Sequence, residues 1–285
     1  MQKTIVYFNG RFLPKEEVRV SPDDRGFLFG DGVYEVLHAY KGRLFKAEEH
    51  WRRLNRNLHE LQIDGVEVDL LGDIAGELLR QNGLEQGQAS LYVQVTRGTA
   101  PRRHAFPEPG TPPTVYLSAS PFRPSPEKWE RGVQVILVPD IRWTRCDIKA
   151  VALLPHVLAS QQARQRGAEE AIFVREGVVT EGAHTNLLAV FDGQLVTHPL
   201  NCHILPGITR AVVLELSREL GIPVRESPIR QAELQAAEEI LIVGTTTEIA
   251  PVVQVENWTV GDGRPGPVTR ALQRAFRERV TSSGR

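Results

Sequence analysis

Helical periodicity of the apolar residues is clear in several segments of the chain. Trp51, Leu54, Leu58 and Leu61 follow one another at spacings of three and four, so they fall on one face of a helix. A second segment of this kind is followed by Gly83, a common residue just after a helix. The predicted helices are Ala47–Leu61, Leu70–Asn82, Pro155–Arg166, Ile208–Leu220 and Pro267–Val280.

Short apolar or alternating runs predict strands between these helices. Lys41-Gly42 and Asp192-Gly193 are turn signals that predict hairpins. The predicted strands are Thr4–Phe8, Val33–Tyr40, Arg43–Phe45, Ser90–Thr96, Thr114–Ser118, Val133–Val138, Ala171–Val174, Leu187–Phe191, Glu239–Val243 and Val252–Val255. The mixture indicates an α+β fold.

Proline and glycine mark the irregular parts of the chain. Residues 97–113 are rich in both, which predicts an ordered but irregular loop. Three prolines within residues 121–126 indicate a linker. We therefore predict an N-terminal domain over residues 1–120, a linker over 121–132 and a C-terminal domain over 133–285.

Length and charge narrow the class of protein. At about 150 residues per domain, 285 residues suggest two domains. The net charge of −1 disfavours a general nucleic-acid or membrane-surface binder. No apolar run approaches the ~20 residues of a membrane helix, and the first residues do not resemble a signal peptide. With only two cysteines, these observations predict a cytoplasmic protein, and we expect no metal site.

Lysine is scarce, which limits any chemistry that needs a primary amine. Of the 34 basic residues, 28 are Arg and 6 are Lys. Lys149 precedes an apolar stretch, where lost hydration would favour a neutral amine able to form a Schiff base. The segment alone favours a simpler interpretation, in which the stem packs and the charged head reaches solvent.

Other candidate residues have two interpretations each. Gly207 precedes a predicted helix whose first amides, at Ile208 and Thr209, could hold a phosphate, and residues 243–249 form a similar turn. Both could be ordinary caps or turns. Glu181 could accept a hydrogen bond from a heterocyclic cation or lie in an exposed turn.

Two residues of the loop 97–113 could bind a carboxylate ligand. Arg102 has a planar fork that suits a carboxylate, and His104 lies two residues away, but both could belong to a solvated basic loop. The hydroxyl of Tyr34 could join an anion site or lie in the core. No Walker pattern is present.

These segments together resemble the fold-type IV aminotransferases that use pyridoxal 5'-phosphate, and among them the D-amino-acid aminotransferases. The order and spacing of the matching segments carry the resemblance. They are DRGFLFGDGVYEV (24–36), EHWRRL (49–54), QVTRGTAPRRHAFP (94–107), DIRWTRCDIK (140–149), VTEG (179–182), ILPGITR (204–210) and GTTTEI (244–249). The resemblance implies a smaller N-terminal α/β domain and a larger C-terminal pseudo-barrel domain.

The resemblance also implies a role for each matching residue. Lys149 looks like the Schiff-base lysine, and Glu181 like the carboxylate that faces the pyridine nitrogen. The phosphate cup would consist of Arg53, Ile208, Thr209 and Thr245, with Leu205 packed against the ring. Arg52 is a rival of Arg53, which we favour because it precedes Leu54 as in the family motif.

On the substrate side, the resemblance implies that Tyr34, Arg102 and His104 bind the carboxylate of a D-amino acid. In the family, the loop that carries the last two reaches the partner subunit's active site, so a homodimer is expected. The expected reaction is transamination of D-alanine- or D-glutamate-type substrates with a 2-oxo acid.

Three alternatives stay open at this stage. The first two share the fold: a branched-chain L-amino-acid aminotransferase and an aminodeoxychorismate lyase. The third is a non-catalytic binding protein on the same scaffold. One departure affects substrate range, because Ala183, His184 and Thr185 stand where family members often have serines.

Overall fold

The structure is a computed structural model that describes residues 4–282, and these form two compact units. The first unit comprises the described residues up to Arg123 together with Ile148–Leu153. The second comprises Pro124–Asp147 and the described chain from Leu154 onward. The break after Arg123 falls inside the segment predicted as a linker. The segment Ile148–Leu153, which we assigned to the C-terminal domain, belongs instead to the first unit, and it carries Lys149.

The first unit is built on a six-stranded antiparallel sheet with the strand order β2-β1-β6-β5-β3-β4. Its strands are β1 (Ile5–Phe8), β2 (Arg11–Pro14), β3 (Gly32–Tyr40), β4 (Arg43–Leu44), β5 (Gln88–Thr96) and β6 (Thr114–Pro121). Its helices are α1 (Arg25–Phe29), α2 (Ala47–Glu60) and α3 (Leu71–Gln81).

Strand β3 shows how the alternation of side chains positions the residues of interest. Val33 and Leu37 are fully buried in the core, where the apolar face of α2 packs through Leu54. Glu35 lies on the same face as these two residues, because side chains alternate along a strand, and it is fully buried as well. Tyr34 therefore lies on the opposite face of the sheet.

The second unit contains a closed ring of strands. Its strands are β7 (Val133–Pro139), β8 (Glu170–Arg175), β9 (Val178–Gly182), β10 (Asn186–Phe191), β11 (Gln194–Thr197), β12 (Val224–Glu226), β13 (Ile229–Arg230), β14 (Glu239–Gly244), β15 (Glu248–Val255) and β16 (Trp258–Thr259). Its helices are α4 (Pro126–Arg131), α5 (Leu154–Gln165), α6 (Ile208–Glu219) and α7 (Pro267–Ser282).

The ring runs β10-β14-β15-β7-β8-β9 and closes where β9 pairs with β10. The pairing that closes it joins Glu181 to Asn186. The expected α+β class with a C-terminal pseudo-barrel is confirmed, and Glu181 lies at the closure rather than in an exposed turn.

Each predicted helix and strand matches an observed element, and the observed ends lie within a few residues of the predicted ends. Short elements escaped prediction, among them α1, which has five residues and too few positions to show a helical period. The predicted loop 97–113 contains no helix or strand. Within residues 4–282, every helix is too short or too polar to cross a membrane.

Candidate active site

In the first unit, Lys149 lies beside Tyr34. The Lys149 amine is 4.3 Å from the centre of the Tyr34 ring, which is the geometry of a cation–π contact. The backbone supports this approach, because the Tyr34 amide donates a hydrogen bond to the Lys149 carbonyl oxygen over 3.0 Å. Ile148 and Ala150 are buried on either side, whereas Lys149 itself is only half-buried. A backbone pairing with β3 thus fixes the position of the lysine.

The next residue of β3, Glu35, lies in a buried cluster with Arg53 and His50 of α2. Arg53 donates from Nε over 2.6 Å and from Nη2 over 2.8 Å to the two carboxylate oxygens of Glu35. His50 Nδ1 lies 2.8 Å from Glu35 Oε2. Arg53 is buried, and its rival Arg52 is exposed.

The charges of this cluster follow from burial and pairing. Burial alone would raise the pKa of Glu35, but the charge and hydrogen bonds of Arg53, with the hydrogen bond of His50, lower it to about 2. Burial lowers the pKa of His50 and, with the charges of Arg53 and Lys149, outweighs the opposite effect of Glu35. At neutral pH, a carboxylate, a guanidinium and a neutral imidazole are therefore expected in this cluster.

Arg102 and His104 lie on the exposed loop, and both contact Phe29. The guanidinium carbon of Arg102 is 5.4 Å from the centre of the Phe29 ring, and the His104 ring centre is 5.6 Å from it. Within residues 4–282, no hydrogen bond or ring contact joins Tyr34 to either of them. The structure thus brings Arg102 and His104 together, but not with Tyr34 of the same chain.

In the second unit, buried donors surround Glu181 and fix both of its carboxylate oxygens. Oε1 accepts a hydrogen bond of 2.5 Å from Arg142 Nη1. Oε2 accepts from the Leu205 amide over 2.9 Å and from Asn186 Nδ2 over 3.0 Å. Two predicted site residues, Glu181 and Leu205, are therefore in direct contact.

Arg142 is held in turn by Asp140. Arg142 donates from Nε and from Nη2 to the Asp140 carboxylate, each over 2.9 Å. Burial would raise the pKa of Asp140, but the hydrogen bonds from Arg142 and Arg175 lower it to about 2. The pKa of Arg142 is raised, because Asp140 and Glu181 outweigh its burial. The orientation of Glu181 thus depends on a permanent ion pair.

The remaining predicted residues of the second unit lie close to the segment 181–186. Gly207 precedes α6 and gives it no side-chain cap, so the first amides of the helix, at Ile208 and Thr209, are available to an anion. A Cβ at Gly207 would lie 1.9 Å from Asn186 Oδ1, so only glycine permits this approach. Gly244, next to Thr245, lies less tightly against His184, whose carbonyl oxygen would be 3.3 Å from a Cβ there.

Residues 183–185 surround a buried carboxylate. Glu170 is fully buried and accepts hydrogen bonds from the Ala183 amide, the His184 amide and the Thr185 hydroxyl. His184 Nδ1 lies 3.0 Å from the same carboxylate. Ala183, His184 and Thr185 therefore bind Glu170, and half of the His184 side chain remains exposed.

Sequence reasoning missed Glu35, His50, Arg142 and Asn186. A signal existed for the first two, because Glu35 occupies a core-facing position of β3 and His50 lies on the helix face that carries Leu54. For Arg142 and Asn186 we find no such signal, since their contacts with Glu181 depend on how the ring of strands closes.

The family model for class IV amino-transferases matches residues 32–255 of this chain. The chain therefore belongs to the class IV aminotransferases. A D-alanine aminotransferase from Staphylococcus haemolyticus is 43% identical over 280 residues, which are 98% of this chain and 99% of the relative.

Solved structures of branched-chain amino acid aminotransferases share the fold. The Escherichia coli enzyme matches with a TM-score of 0.90 and 30% identity, over 97% of this chain and 94% of that chain. The Thermobaculum terrenum enzyme in its PLP form matches with a TM-score of 0.85 and 27% identity, over 99% of this chain and 95% of that chain.

Replacing Glu35 with Gln should lower the free energy of unfolding at pH 7 by roughly 3–5 kcal/mol, because Arg53 would stay buried without its countercharge. The folded pKa of Glu35 is depressed, so its contribution is complete above its ordinary value of 4.5 and is lost as the pH falls towards 2. The deficit of the variant should therefore narrow in acid, which denaturant titrations at pH 7 and pH 3 would measure.

Glu77→Gln is the matched control, because Glu77 pairs with Arg80 at the surface. It should change stability little at either pH. A deficit of Glu35→Gln that is small, or that does not depend on pH, would contradict the assigned charges.

Proposed function

We propose that this chain catalyses the pyridoxal-phosphate-dependent transfer of an amino group from a D-amino acid to a 2-oxo acid. The substrates would be of the D-alanine or D-glutamate type, with pyruvate or 2-oxoglutarate as acceptor. The position of Lys149 carries this proposal, because its amine lies against the Tyr34 ring and a backbone hydrogen bond from Tyr34 fixes its segment there. Family membership and the 43% identity to a D-alanine aminotransferase support it.

Each of the two units contains residues that suit the cofactor. The first unit supplies an amine, at Lys149, for covalent attachment. The second supplies an oriented carboxylate, at Glu181, and the uncapped start of α6, where orphan amides favour a phosphate. When bound, the cofactor supplies an electron sink for the negative charge that develops on the substrate's α-carbon.

We assign Lys149 as the group that carries the cofactor and later moves the α-proton. A neutral amine at Nζ would accept that proton and return it to a carbon of the cofactor, which is general acid–base catalysis. The contact with Tyr34 limits the positions that Nζ can take.

We assign Glu181 to the pyridine nitrogen and the remaining residues of the cup to the phosphate. Because Arg142, Asn186 and the Leu205 amide fix both carboxylate oxygens, Glu181 keeps one orientation towards a protonated ring nitrogen. Leu205 would pack against the ring. Arg53, Ile208, Thr209 and Thr245 would bind the phosphate, and Glu35 holds Arg53 in a fixed direction for this.

The substrate's carboxylate would bind Tyr34, Arg102 and His104. A guanidinium and an imidazole on one loop match the charge and the planar shape of a carboxylate. Branched-chain aminotransferases of the same fold are the second candidate, favoured by the match to the Escherichia coli structure. The Arg-x-His pair of the loop and the higher identity to the D-alanine enzyme favour the first.

We also propose that the chain works as a cytoplasmic homodimer in which the loop 97–113 serves the partner's site. Tyr34 does not contact Arg102 or His104 of its own chain, as expected if they act on different active sites. Helix α5 also exposes an apolar stripe at Leu154, Val157 and Leu158, which are 55–69% exposed. Apolar stripes of this kind mark surfaces that associate.

A half-reaction panel tests the reaction itself. Holoenzyme mixed with D-alanine or D-glutamate, without acceptor, should convert from the pyridoxal to the pyridoxamine form, whereas L-leucine should leave the absorption spectrum unchanged. Conversion by L-leucine alone would assign the chain to the branched-chain enzymes. Pyruvate release from aminodeoxychorismate would assign it to the lyases.

Lys149→Ala should lower kcat by at least about a hundredfold, since general acid–base groups contribute 10²–10⁴-fold. The cofactor absorption should change to that of unattached pyridoxal phosphate. Lys128→Ala is the control, because Lys128 is an exposed lysine paired with Glu169, and it should keep both properties. A Lys149→Ala enzyme with near-normal turnover would refute the assignment.

Mixing a variant impaired in the chemical step with one impaired in substrate binding tests the exchange of loops between subunits. In a mixed dimer of Lys149→Ala and Arg102→Ala chains, one site would combine an intact Lys149 with an intact Arg102 from the partner. Unfolding and refolding the two variants together should therefore restore activity, whereas refolding each alone should not. If Arg102 serves its own chain, the mixture stays as weak as its components.

A further inference from the structure

The loop that carries Arg102 and His104 is exposed, but its backbone is bound to a buried cation. Arg25, at the start of α1, is buried, and its Nη1 donates a hydrogen bond of 2.6 Å to the Arg103 carbonyl oxygen. Longer bonds of 3.3 Å reach the carbonyl oxygens of His104 and Ala105. Arg25 Nε donates to Asp31 over 2.8 Å. One guanidinium therefore donates hydrogen bonds to three successive carbonyl oxygens of the loop.

A second buried arginine binds both oxygens of the same carboxylate. Arg97 donates to Asp31 from Nε over 2.8 Å and from Nη2 over 3.0 Å. It also donates to the carbonyl oxygens of Leu61 and Gln62, at the end of α2, and lies 3.7 Å from the centre of the Phe106 ring. Arg97 thus connects the loop to the helix that carries the buried charge cluster.

Asp31 keeps both arginines in place. Burial would raise its pKa, but the hydrogen bonds of Arg97 and Arg25 outweigh burial and hold the pKa below its ordinary value. The carboxylate therefore stays charged at neutral pH. A guanidinium suits the binding of a carboxylate and several carbonyls at once, because it carries five donors in one plane, whereas an ammonium carries three.

Phe29 lies between this buried network and the exposed side chains. The guanidinium carbon of Arg25 is 4.9 Å from the centre of the Phe29 ring. Arg102 and His104 contact the same ring. The loop carbonyls that Arg25 binds and the Phe29 ring together restrict the directions in which the Arg102 and His104 side chains can point.

We propose that Arg25, with Asp31 and Arg97, is a positioning residue that fixes the loop so that Arg102 and His104 present a preformed binding site for the substrate's carboxylate. The inference rests on the proposed function of that loop. None of the three residues needs to touch the substrate. Their effect should therefore appear in substrate binding and not in the chemical step.

Arg25→Lys retains the charge but loses the planar fork. In the holoenzyme it should raise KM for D-alanine and for the 2-oxo acid by about tenfold, as expected for one or two lost charge-assisted hydrogen bonds. The value of kcat and the cofactor spectrum should remain near those of the wild type. Phe29→Leu is the second variant, for use if Arg25→Lys does not fold. It is a milder change in a half-buried side chain and should also raise KM.

Arg103→Ala is the matched control. It removes a neighbouring positive charge, but it keeps the carbonyl oxygen that Arg25 binds, and the Arg103 side chain is exposed. Its KM should stay near that of the wild type. A rise equal to that of Arg25→Lys would mean that general positive charge, not the framework, binds the substrate.

Two further readouts separate positioning from a general loss of structure. The kcat/KM for D-alaninamide, which lacks the carboxylate, should not change in Arg25→Lys. In a background of Arg102→Ala with His104→Ala, adding Arg25→Lys should change KM by less than about twofold, because residues that act through one another are not additive.

The outcomes also separate this inference from the proposed function. If Arg102→Ala with His104→Ala leaves KM for D-alanine unchanged, the proposed role of the loop is wrong. If that double variant raises KM but Arg25→Lys and Phe29→Leu do not, only the positioning inference is overturned. Equal losses for D-alanine and D-alaninamide would also overturn it.

Discussion

Pairing of buried arginines is the constraint on which the rest of the candidate site depends. A guanidinium does not lose its proton in a protein, so it can be buried only where acceptors match it. Arg53 is matched by Glu35, and Arg142 by Asp140 and Glu181. Each pair fixes a segment from which a site residue projects. Because a broken buried pair costs several kcal/mol, the two partners of each pair stay together within their own unit.

The two units use the constraint differently. In the first unit, Glu35 orients Arg53 of α2. Asp31 pairs with two arginines that hold the loop 97–113. In the second, the ion pair acts directly on the carboxylate proposed to face the cofactor. The excess of Arg over Lys, 28 to 6, is consistent with this use. Bidentate binding of carboxylates and carbonyls requires the fork, whereas the proposed covalent chemistry requires a single amine.

The long elements were predictable from the sequence because their periodicity is local. Four apolar residues at helical spacing predicted a helix over Ala47–Leu61, and α2 ends one residue before the last of them. Glu181 was harder, because its burial depends on β9 closing the ring against β10. Helix α1 was missed altogether, since five residues show no period. The contact of Arg25 with the loop spans 78 residues, and no local pattern reports it.

The central claim is that the site acts on D-amino acids, with Lys149 moving the α-proton. The most direct measurement is proton exchange at the α-carbon in deuterium oxide, followed by nuclear magnetic resonance with holoenzyme and no acceptor. We expect the α-proton signal of D-alanine to disappear and that of L-alanine to persist. Exchange of L-alanine with D-alanine unaffected would contradict the account.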